Sequence, residues 1–175
     1  MSTPPTLKHV LNLTLTPSTP LDAGITPRGK ANWVNLPSGR VTTPDGRAVA
    51  TVLPGGGDYC TRHVDELFLE VDLRVIAKAD DEAEAESGAL FKFESRGFDR
   101  LIPPVMAALD GQAVEPPPPG TPMPKALYGT EVISVNTNSK RYWALNFAVL
   151  VAKVALVLGE GGVESVDYEV YEVVV

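Results

Sequence analysis

Alternating apolar and polar residues run through most of the chain and predict β-strands. Leu11, Leu13 and Leu15 alternate with polar residues, which is the period-two pattern of a strand with one buried face. The 16 prolines and 15 glycines break the sequence into short runs of this kind. Further strands are predicted at 30–36, 48–53, 67–77, 89–95, 128–135, 146–157 and 163–175.

About eight to ten strands in a chain of this size suggest a closed barrel or a sandwich. We predict the barrel: an all-β, antiparallel, lipocalin-like fold that is closed or nearly closed and has little helix. Because 175 residues suffice for one core but hardly for two, residues 1–175 are predicted to form a single domain. The predicted interruptions are an acidic hairpin insertion at 81–88 and a proline-rich loop at 103–124, in which 103–109 is a candidate short helix.

The longest alternating run, 67–77, has two different faces. One face is aliphatic, and the other carries Glu70, Asp72 and Arg74 among its members. If the polar face points into a barrel, it supplies charge to a ligand cavity; if it points outward, it is a solvated surface, which is the more common arrangement. The pattern leaves both alternatives open.

Charge and composition narrow the class of partner. The net charge is −7, and the basic residues are scattered without a basic stripe, so no nucleic-acid partner is predicted. Residues 144–158 are mostly apolar, but they are fewer than the roughly 20 that a membrane-spanning helix needs, and they include Lys153, so no membrane partner is predicted. The first residues lack the pattern of a secretory signal, and a cytoplasmic location is expected.

The densest group of ionisable residues follows three consecutive glycines, Gly55 to Gly57. Glycine adopts positive φ without strain, so the run predicts a rigid corner that a ligand can approach closely. The predicted catalytic residues at this corner are Asp58 and His63, which would move protons, and Arg74, which would hold a developing enolate or carboxylate and would be oriented by Asp72.

Each of these residues also has a structural interpretation. Asp58 after glycines is typical of a turn cap, and a lone histidine such as His63 is usually a surface or packing residue. Cys60 is the single cysteine, which excludes an intramolecular disulfide, and a buried structural thiol is its default state. No motif for nucleotide binding, for a serine nucleophile or for zinc is present, so no cofactor and no metal are predicted.

A second cluster lies near residue 143. Tyr142 and Trp143 suit either the wall of a pocket or an aromatic plug that seals a barrel, and these two interpretations stay equally open. Asn146 would hydrogen-bond a ligand in the first case and needs other partners if it is buried in the second. The predicted substrate-binding residues are Trp33, Tyr59, Arg62, Glu70, Tyr142, Trp143 and Asn146.

Several of these motifs together resemble the DUF3237 family of domains of unknown function. The resemblance covers nearly the whole chain and rests most on Pro54-Gly-Gly-Gly-Asp-Tyr59, Asp72-Leu-Arg74, Gly88-Ala-Leu90, Tyr142-Trp-Ala-Leu-Asn146 and Tyr168-Glu-Val-Tyr171. It implies a small antiparallel β-barrel of a kind found in bacteria and fungi, with fungal members among secondary-metabolite genes. The chain departs from the family pattern at Glu82 to Ser87 and in the proline loop at 116–119, where we expect substrate fit to differ.

Three functions are compatible with these observations. The preferred hypothesis is a cofactor-independent acid–base enzyme, an isomerase, cyclase or dehydratase, that acts on a small oxygenated biosynthetic intermediate. The second is a barrel that binds a small molecule without converting it. The third is a structural subunit whose exposed strand edges pair two copies into a homodimer.

Overall fold

The computed structural model describes residues 4–63, 65, 68–80, 88–110, 112, 125–159 and 162–175. Eleven strands and one short α-helix, followed later by a 3₁₀ turn at Trp143–Phe147, account for most of these residues. The elements in chain order are β1 (Thr6–Thr16), β2 (Leu21–Thr26), β3 (Gly29–Leu36), β4 (Ser38–Thr42), β5 (Ala48–Val52), β6 (Gly56–His63), β7 (Phe68–Ala79), β8 (Leu90–Arg100), α1 (Pro103–Leu109), β9 (Lys125–Thr137), β10 (Leu150–Gly159) and β11 (Gly162–Val174).

Eight of the strands close into an antiparallel barrel, as the sequence predicts. Around the barrel the order is β7, β5, β4, β1, β11, β10, β9 and β8, and the pairing of β8 with β7 completes the ring. Closure leaves no free edge among these eight strands, since each one has a neighbour on both sides.

The other three strands form a flange on the barrel, defined here as β2, β3 and β6. The long strand β7 joins the two parts: its first half pairs with β6, from Leu69 to Arg74, and its last residues pair with β5. Strand β3 pairs with β6 over its whole length, and β2 is the outer strand of the flange.

The direction of each side chain follows from the two-residue period. Leu11, Leu13 and Leu15 of β1 are fully buried, as the alternation predicts. On β7 the aliphatic face points into the molecule, and Leu73 has an exposed fraction of 1%. Glu70, Asp72 and Arg74 belong to the opposite, outer face, so the solvated alternative is the one that the structure shows.

One end of the barrel is filled with apolar side chains. Phe91 and Phe93 are fully buried there, and the edge of Tyr142 packs against Phe91 with ring centroids 5.5 Å apart. Leu145, on the 3₁₀ turn, joins the same core. The predicted strand at 146–157 is therefore shorter than expected: its first residues belong to this turn, and β10 begins at Leu150.

Other differences from the sequence prediction concern short or glycine-rich elements. Strands β2, β4 and β6 were not predicted, and the expected corner at Gly55–Gly57 shrinks to a turn around Gly55 (φ 107°) because β6 already begins at Gly56. The candidate helix at 103–109 is present as α1. The predicted acidic hairpin at 81–88 and the extended part of the proline loop lie almost entirely outside the described residues. No helix in the described ranges is long and apolar enough to cross a membrane.

Candidate functional site

A cavity of about 500 Å³ lies at the end of the barrel opposite the aromatic core. Both the flange and the barrel contribute to its wall, as do the loop at 17–20 and the last residues around α1. Most of the wall is aliphatic, supplied by Val34, Leu36, Leu69, Val71, Leu73, Leu109, Leu156, Val163 and Val166. Of the acidic and phenolic residues in the wall, Asp58, Asp99 and Tyr168 are buried, whereas Asp22 and Asp110 are exposed.

Asp58 enters the cavity wall from β6. Residue Asp58 has an exposed fraction of 9%, and the backbone N–H of Asp72 donates to its Oδ1 at 2.9 Å. Burial raises the pKa of this carboxyl to about 6, although the Cys60 thiol and the Asp72 N–H both favour the ionised form. Asp58 is therefore a carboxyl group whose pKa lies near the pH at which a general base works best.

Asp99 enters the cavity wall from β8 and is more deeply buried, with an exposed fraction of 4%. Its Oδ1 has no hydrogen-bond partner among the described residues. Burial, with a further contribution from the charge on Asp58, raises the pKa of Asp99 to about 7. A buried, unpartnered carboxyl oxygen in a cavity wall is an unusual feature, because buried polar atoms are normally hydrogen-bonded.

A third acid, Glu131 on β9, lies behind this wall. Its Oε2 accepts a hydrogen bond of 2.5 Å from the Ser95 hydroxyl, while Oε1 has no partner within the described part of the chain. Burial raises the pKa of Glu131 to about 8, and the charge on Asp99 adds to this effect. Glu131 is thus expected to keep its proton at neutral pH.

Two glycines make room for the acids. In the pairing of β8 with β9, Asp99 lies opposite Gly129 and Glu131 lies opposite Gly97. A Cβ atom on Gly129 would lie 1.4 Å from Oδ1 of Asp99, and one on Gly97 would lie 2.7 Å from Cγ of Glu131. Because no side chain fits at either glycine, each acid occupies the space that its cross-strand neighbour leaves empty.

Tyr168 and Cys60 complete the polar part of the cavity. Burial raises the pKa of both groups well above the ordinary values, and neighbouring carboxylates raise them further. Both therefore stay protonated near neutral pH, and the Cys60 thiol is not a nucleophile. The described residues contain no group of His, Cys, Asp and Glu side chains arranged to hold a metal ion.

Charged side chains surround the cavity where it opens. Lys30 pairs with Asp22 at 3.4 Å, and both line the cavity. Arg62 is buried and makes two hydrogen bonds, of 2.9 and 3.2 Å, to the carboxylate of Asp110, the residue after α1. This bidentate pair fixes the end of α1 to β6.

The structure does not bring the predicted catalytic residues together. Asp58 lines the cavity, but His63 is largely exposed at the end of β6 and lies 3.8 Å from Asp65. Asp72 and Arg74 form an ion pair on the outer face, where Asp72 also pairs with Arg96 at 3.2 Å. The reason is strand parity: residues at even positions of β7 point away from the cavity.

The predicted binding residues do not line the cavity either. Tyr59 is 65% exposed and packs on Trp33 outside the cavity. Arg62 does not line the cavity, because its guanidinium is hydrogen-bonded to Asp110. Glu70 lies on the outer face of β7.

The cluster near residue 143 closes the opposite end of the barrel. Tyr142 packs against the core, so of the two interpretations the plug is the one that the geometry supports. Asn146 ties the turn to β9, since its side chain accepts from the Thr137 N–H and donates to the Thr137 carbonyl. Trp143 is 53% exposed.

Three residues of the cavity region were missed in the sequence: Asp99, Glu131 and Tyr168. Glu131 carried a signal, because it shares the parity of Ile133 and Val135 in a predicted strand and so had to point inward. Asp99 lay beyond the predicted end of its strand at residue 95. Tyr168 was noted as part of a terminal motif, without a role.

The fold is a barrel with a flange, and its candidate site is an acid-lined cavity. Comparison with known proteins gives the family. The chain belongs to the DUF3237 family, described as proteins of unknown function, whose model matches residues 5–173. This confirms the resemblance found in the sequence.

Relatives of the chain come from fungi and bacteria. "PR-toxin biosynthesis cluster protein 7" of Penicillium roqueforti strain FM164 is 27% identical over 187 residues, covering 98% of this chain and 94% of that protein. A conserved protein of unknown function from Rhodopseudomonas palustris has the same fold, with a TM-score of 0.73, 20% identity, and coverage of 99% of this chain and 100% of the other. A structure described as an enzyme from Penicillium herquei has a TM-score of 0.56 and 15% identity, covering 99% and 97% of the two chains.

Proposed function

We propose that the protein is a cofactor-independent acid–base enzyme, an isomerase, cyclase or dehydratase, that acts on a small oxygenated intermediate in the cavity. The observation that carries the proposal is the pair of buried carboxyl groups, Asp58 and Asp99, that line one largely apolar cavity without a described cation bound to either. Unpaired buried carboxyl groups are costly for the fold, and they are typical of sites where the group acts on a ligand.

The two carboxyl groups in the cavity wall have different catalytic roles, base and acid, because their pKa values differ. With a pKa of about 6, Asp58 is mainly ionised at neutral pH and serves as the base that removes a proton from the substrate. Asp99, with a pKa of about 7, still carries a proton in a large fraction of molecules and serves as the acid. Two titratable groups whose environments separate their pKa values are the usual arrangement for acid–base catalysis at one site.

The proton balance of this scheme closes without a further reactant. Asp99 delivers one proton to the substrate, Asp58 takes one from it, and exchange with solvent restores the starting state. An isomerisation or cyclisation therefore leaves the mass of the substrate unchanged, and a dehydration releases one water. Tyr168 would donate a hydrogen bond to a substrate oxygen on which negative charge develops.

The comparisons support the setting of this proposal. The Penicillium roqueforti relative is named for a toxin biosynthesis cluster, and the Penicillium herquei structure is described as an enzyme. We therefore propose that the protein's substrate is an intermediate in the biosynthesis of a secondary metabolite. A carrier of an apolar metabolite is the second candidate, which the mostly aliphatic wall favours.

The proposal is tested with metabolite extracts of a producing strain from which the gene has been deleted. The purified protein is incubated with the extract in ordinary and in heavy water, and mass spectrometry follows each compound. We expect one compound to be converted to an isomer that carries deuterium at a carbon, or to a product lighter by one water. Asp99→Asn should abolish most of the conversion, while Glu94→Gln, on the outer face of the same strand, should not.

A compound that binds to the protein and is recovered unchanged would favour the carrier. Conversion at the wild-type rate by both Asp58→Asn and Asp99→Asn would remove these acids from the mechanism.

A further inference from the structure

We propose that the cavity selects an uncharged ligand that presents an oxygen hydrogen-bond acceptor, such as a ketone or ether oxygen, and that it excludes carboxylates and phosphates. This inference names the substrate class of the site and so rests on the proposed function. It replaces the expectation from the sequence that Arg74 holds a developing enolate or carboxylate, because Arg74 lies on the outer face.

The first step concerns the cations. Among the described residues that line the cavity, Lys30 is the only cation, and it is partly exposed and pairs with Asp22. Arg62 lies near α1, but its guanidinium is engaged by both carboxylate oxygens of Asp110. An anionic ligand would therefore meet one described cation in the wall, Lys30, which already pairs with Asp22, while the Nε of Arg62, which has no hydrogen-bond partner in the described part of the chain, does not belong to that wall.

The second step concerns the acids. Asp58 and Asp99 share the cavity wall. Glu131 lies close to both, and their negative charges contribute to raising its pKa. A ligand carboxylate beside these acids would add a further negative charge to a region in which the three carboxyl groups already lose their protons less readily than in water. Like charges brought together in an interface or a buried site typically cost several kcal/mol, and a buried carboxylate without a partner is itself costly.

The third step concerns the hydrogen bonds that the cavity offers. The Tyr168 hydroxyl and the Asp99 carboxyl both belong to residues of the cavity wall. Oδ1 of Asp99 is enclosed beside Gly129, so a ligand would meet this acid through its other oxygen, Oδ2. A phenol and a protonated carboxylic acid are both donors. A ligand that brings an acceptor oxygen satisfies them, whereas a hydrocarbon of the same shape leaves them unpaired and loses affinity.

An ammonium ligand fits less well than a neutral one. Its three N–H groups require acceptors, while most of the wall is aliphatic. Asp58, mainly ionised at neutral pH, would pair with one of these N–H groups, whereas Asp99 and Glu131 would first have to lose their protons.

The test uses three probes with the same ring system and the same point of attachment: a methyl naphthyl ketone, naphthoate and naphthylmethylammonium. Affinities are measured by calorimetry at pH 7 with wild-type protein, so no turnover is needed. We expect the ketone to bind at least about tenfold more tightly than naphthoate, the equivalent of about 1.4 kcal/mol. Asp99→Asn should narrow this ratio by allowing naphthoate to bind better, Asp58→Asn should act in the same direction, and Glu94→Gln should leave the ratio unchanged.

Equal or tighter binding of naphthoate or of the ammonium would overturn the inference, and so would failure of the ketone to bind. These outcomes are separable from failure of the proposed function. A carrier would show the same preference for the ketone without converting any metabolite, while an enzyme for an anionic substrate would show turnover with the opposite preference.

Discussion

Two sets of acidic residues lie on opposite faces of the sheet, and they differ in burial and in pairing. The inner acids, defined as Asp58, Asp99 and Glu131, are buried and have raised pKa values. The outer acids, Asp72 and Glu94, are paired with arginine or lysine at the surface, and such pairing lowers the pKa of Glu94. The comparison shows that the face on which an acid lies, and not its residue type, decides whether it forms a solvated ion pair or a buried carboxyl group with a raised pKa.

The largest effect should appear in catalysis. Asp99→Asn or Asp58→Asn removes the proton-transfer group while keeping its size, and we expect turnover to fall by about 10²- to 10⁴-fold. Asp72→Asn, on the outer face, should change it by less than about twofold, since exposed ion pairs contribute little. Rates are measured on the metabolite identified in the extract experiment. A larger loss in Asp72→Asn than in Asp99→Asn would reverse the comparison of the two faces.

The next effect concerns the pH dependence of stability. The folded-state pKa values of the inner acids, about 6, 7 and 8, lie above the values of about 4 expected in the unfolded chain. At pH values between these two sets of pKa values, the folded state binds more protons than the unfolded state. The free energy of unfolding should therefore fall as pH rises from about 5 to 8.

This dependence is measured by urea unfolding across that pH range. In Asp99→Asn the fall should be smaller, by roughly 1.4 kcal/mol for each unit of pKa shift that is removed. Of the other groups that face Asp99, Asp58 and Glu131 keep part of the slope in this variant, while Cys60 and Tyr168 stay protonated over the whole range. A stability that rises with pH in the wild type would show that the inner acids are ionised and paired.

A smaller effect tests the glycine that makes room for Asp99. Gly129→Ala places a methyl group against Oδ1 of Asp99, and we expect a loss of roughly 2–3 kcal/mol in the free energy of unfolding. In an Asp99→Ala background the same substitution should cost much less, because the clashing carboxyl group is gone. Equal losses in the two backgrounds would mean that Gly129 serves the backbone and not the acid.

The smallest effect is expected at the outer face. Asp72→Asn weakens ion pairs with Arg74 and Arg96, and its cost in unfolding free energy should stay below about 1 kcal/mol and shrink with added salt. The N–H of residue 72 still donates to Asp58 in this variant. A cost of several kcal/mol would indicate that the outer acids are more than a solvated surface.

The sequence predicted the fold better than the site, for a physical reason. Alternation along β1 and β7 reports burial directly, so the all-β barrel and the direction of most side chains could be predicted, and the barrel is confirmed. Asp58 was also identified, although for its place after the glycines. Which residues of two paired strands lie side by side depends on the register of the pairing. The register of β8 and β9 places Asp99 opposite Gly129, although the two residues are far apart in the sequence. Hence Asp99 could not be identified, and the visible pair of Asp72 and Arg74 was assigned a role instead.

Carboxyl-carbon NMR, following each aspartate and glutamate of the folded protein from pH 4 to 9, tests the central claim most directly. Asp58→Asn, Asp99→Asn and Glu131→Gln would assign the signals. We predict that the three inner carboxyl groups keep their protons well above the ordinary range, while the pKa of Glu94 lies below its ordinary value. If the three signals instead titrated together with that of Glu94, the inner acids would be ordinary carboxylates and the proposed chemistry would be contradicted.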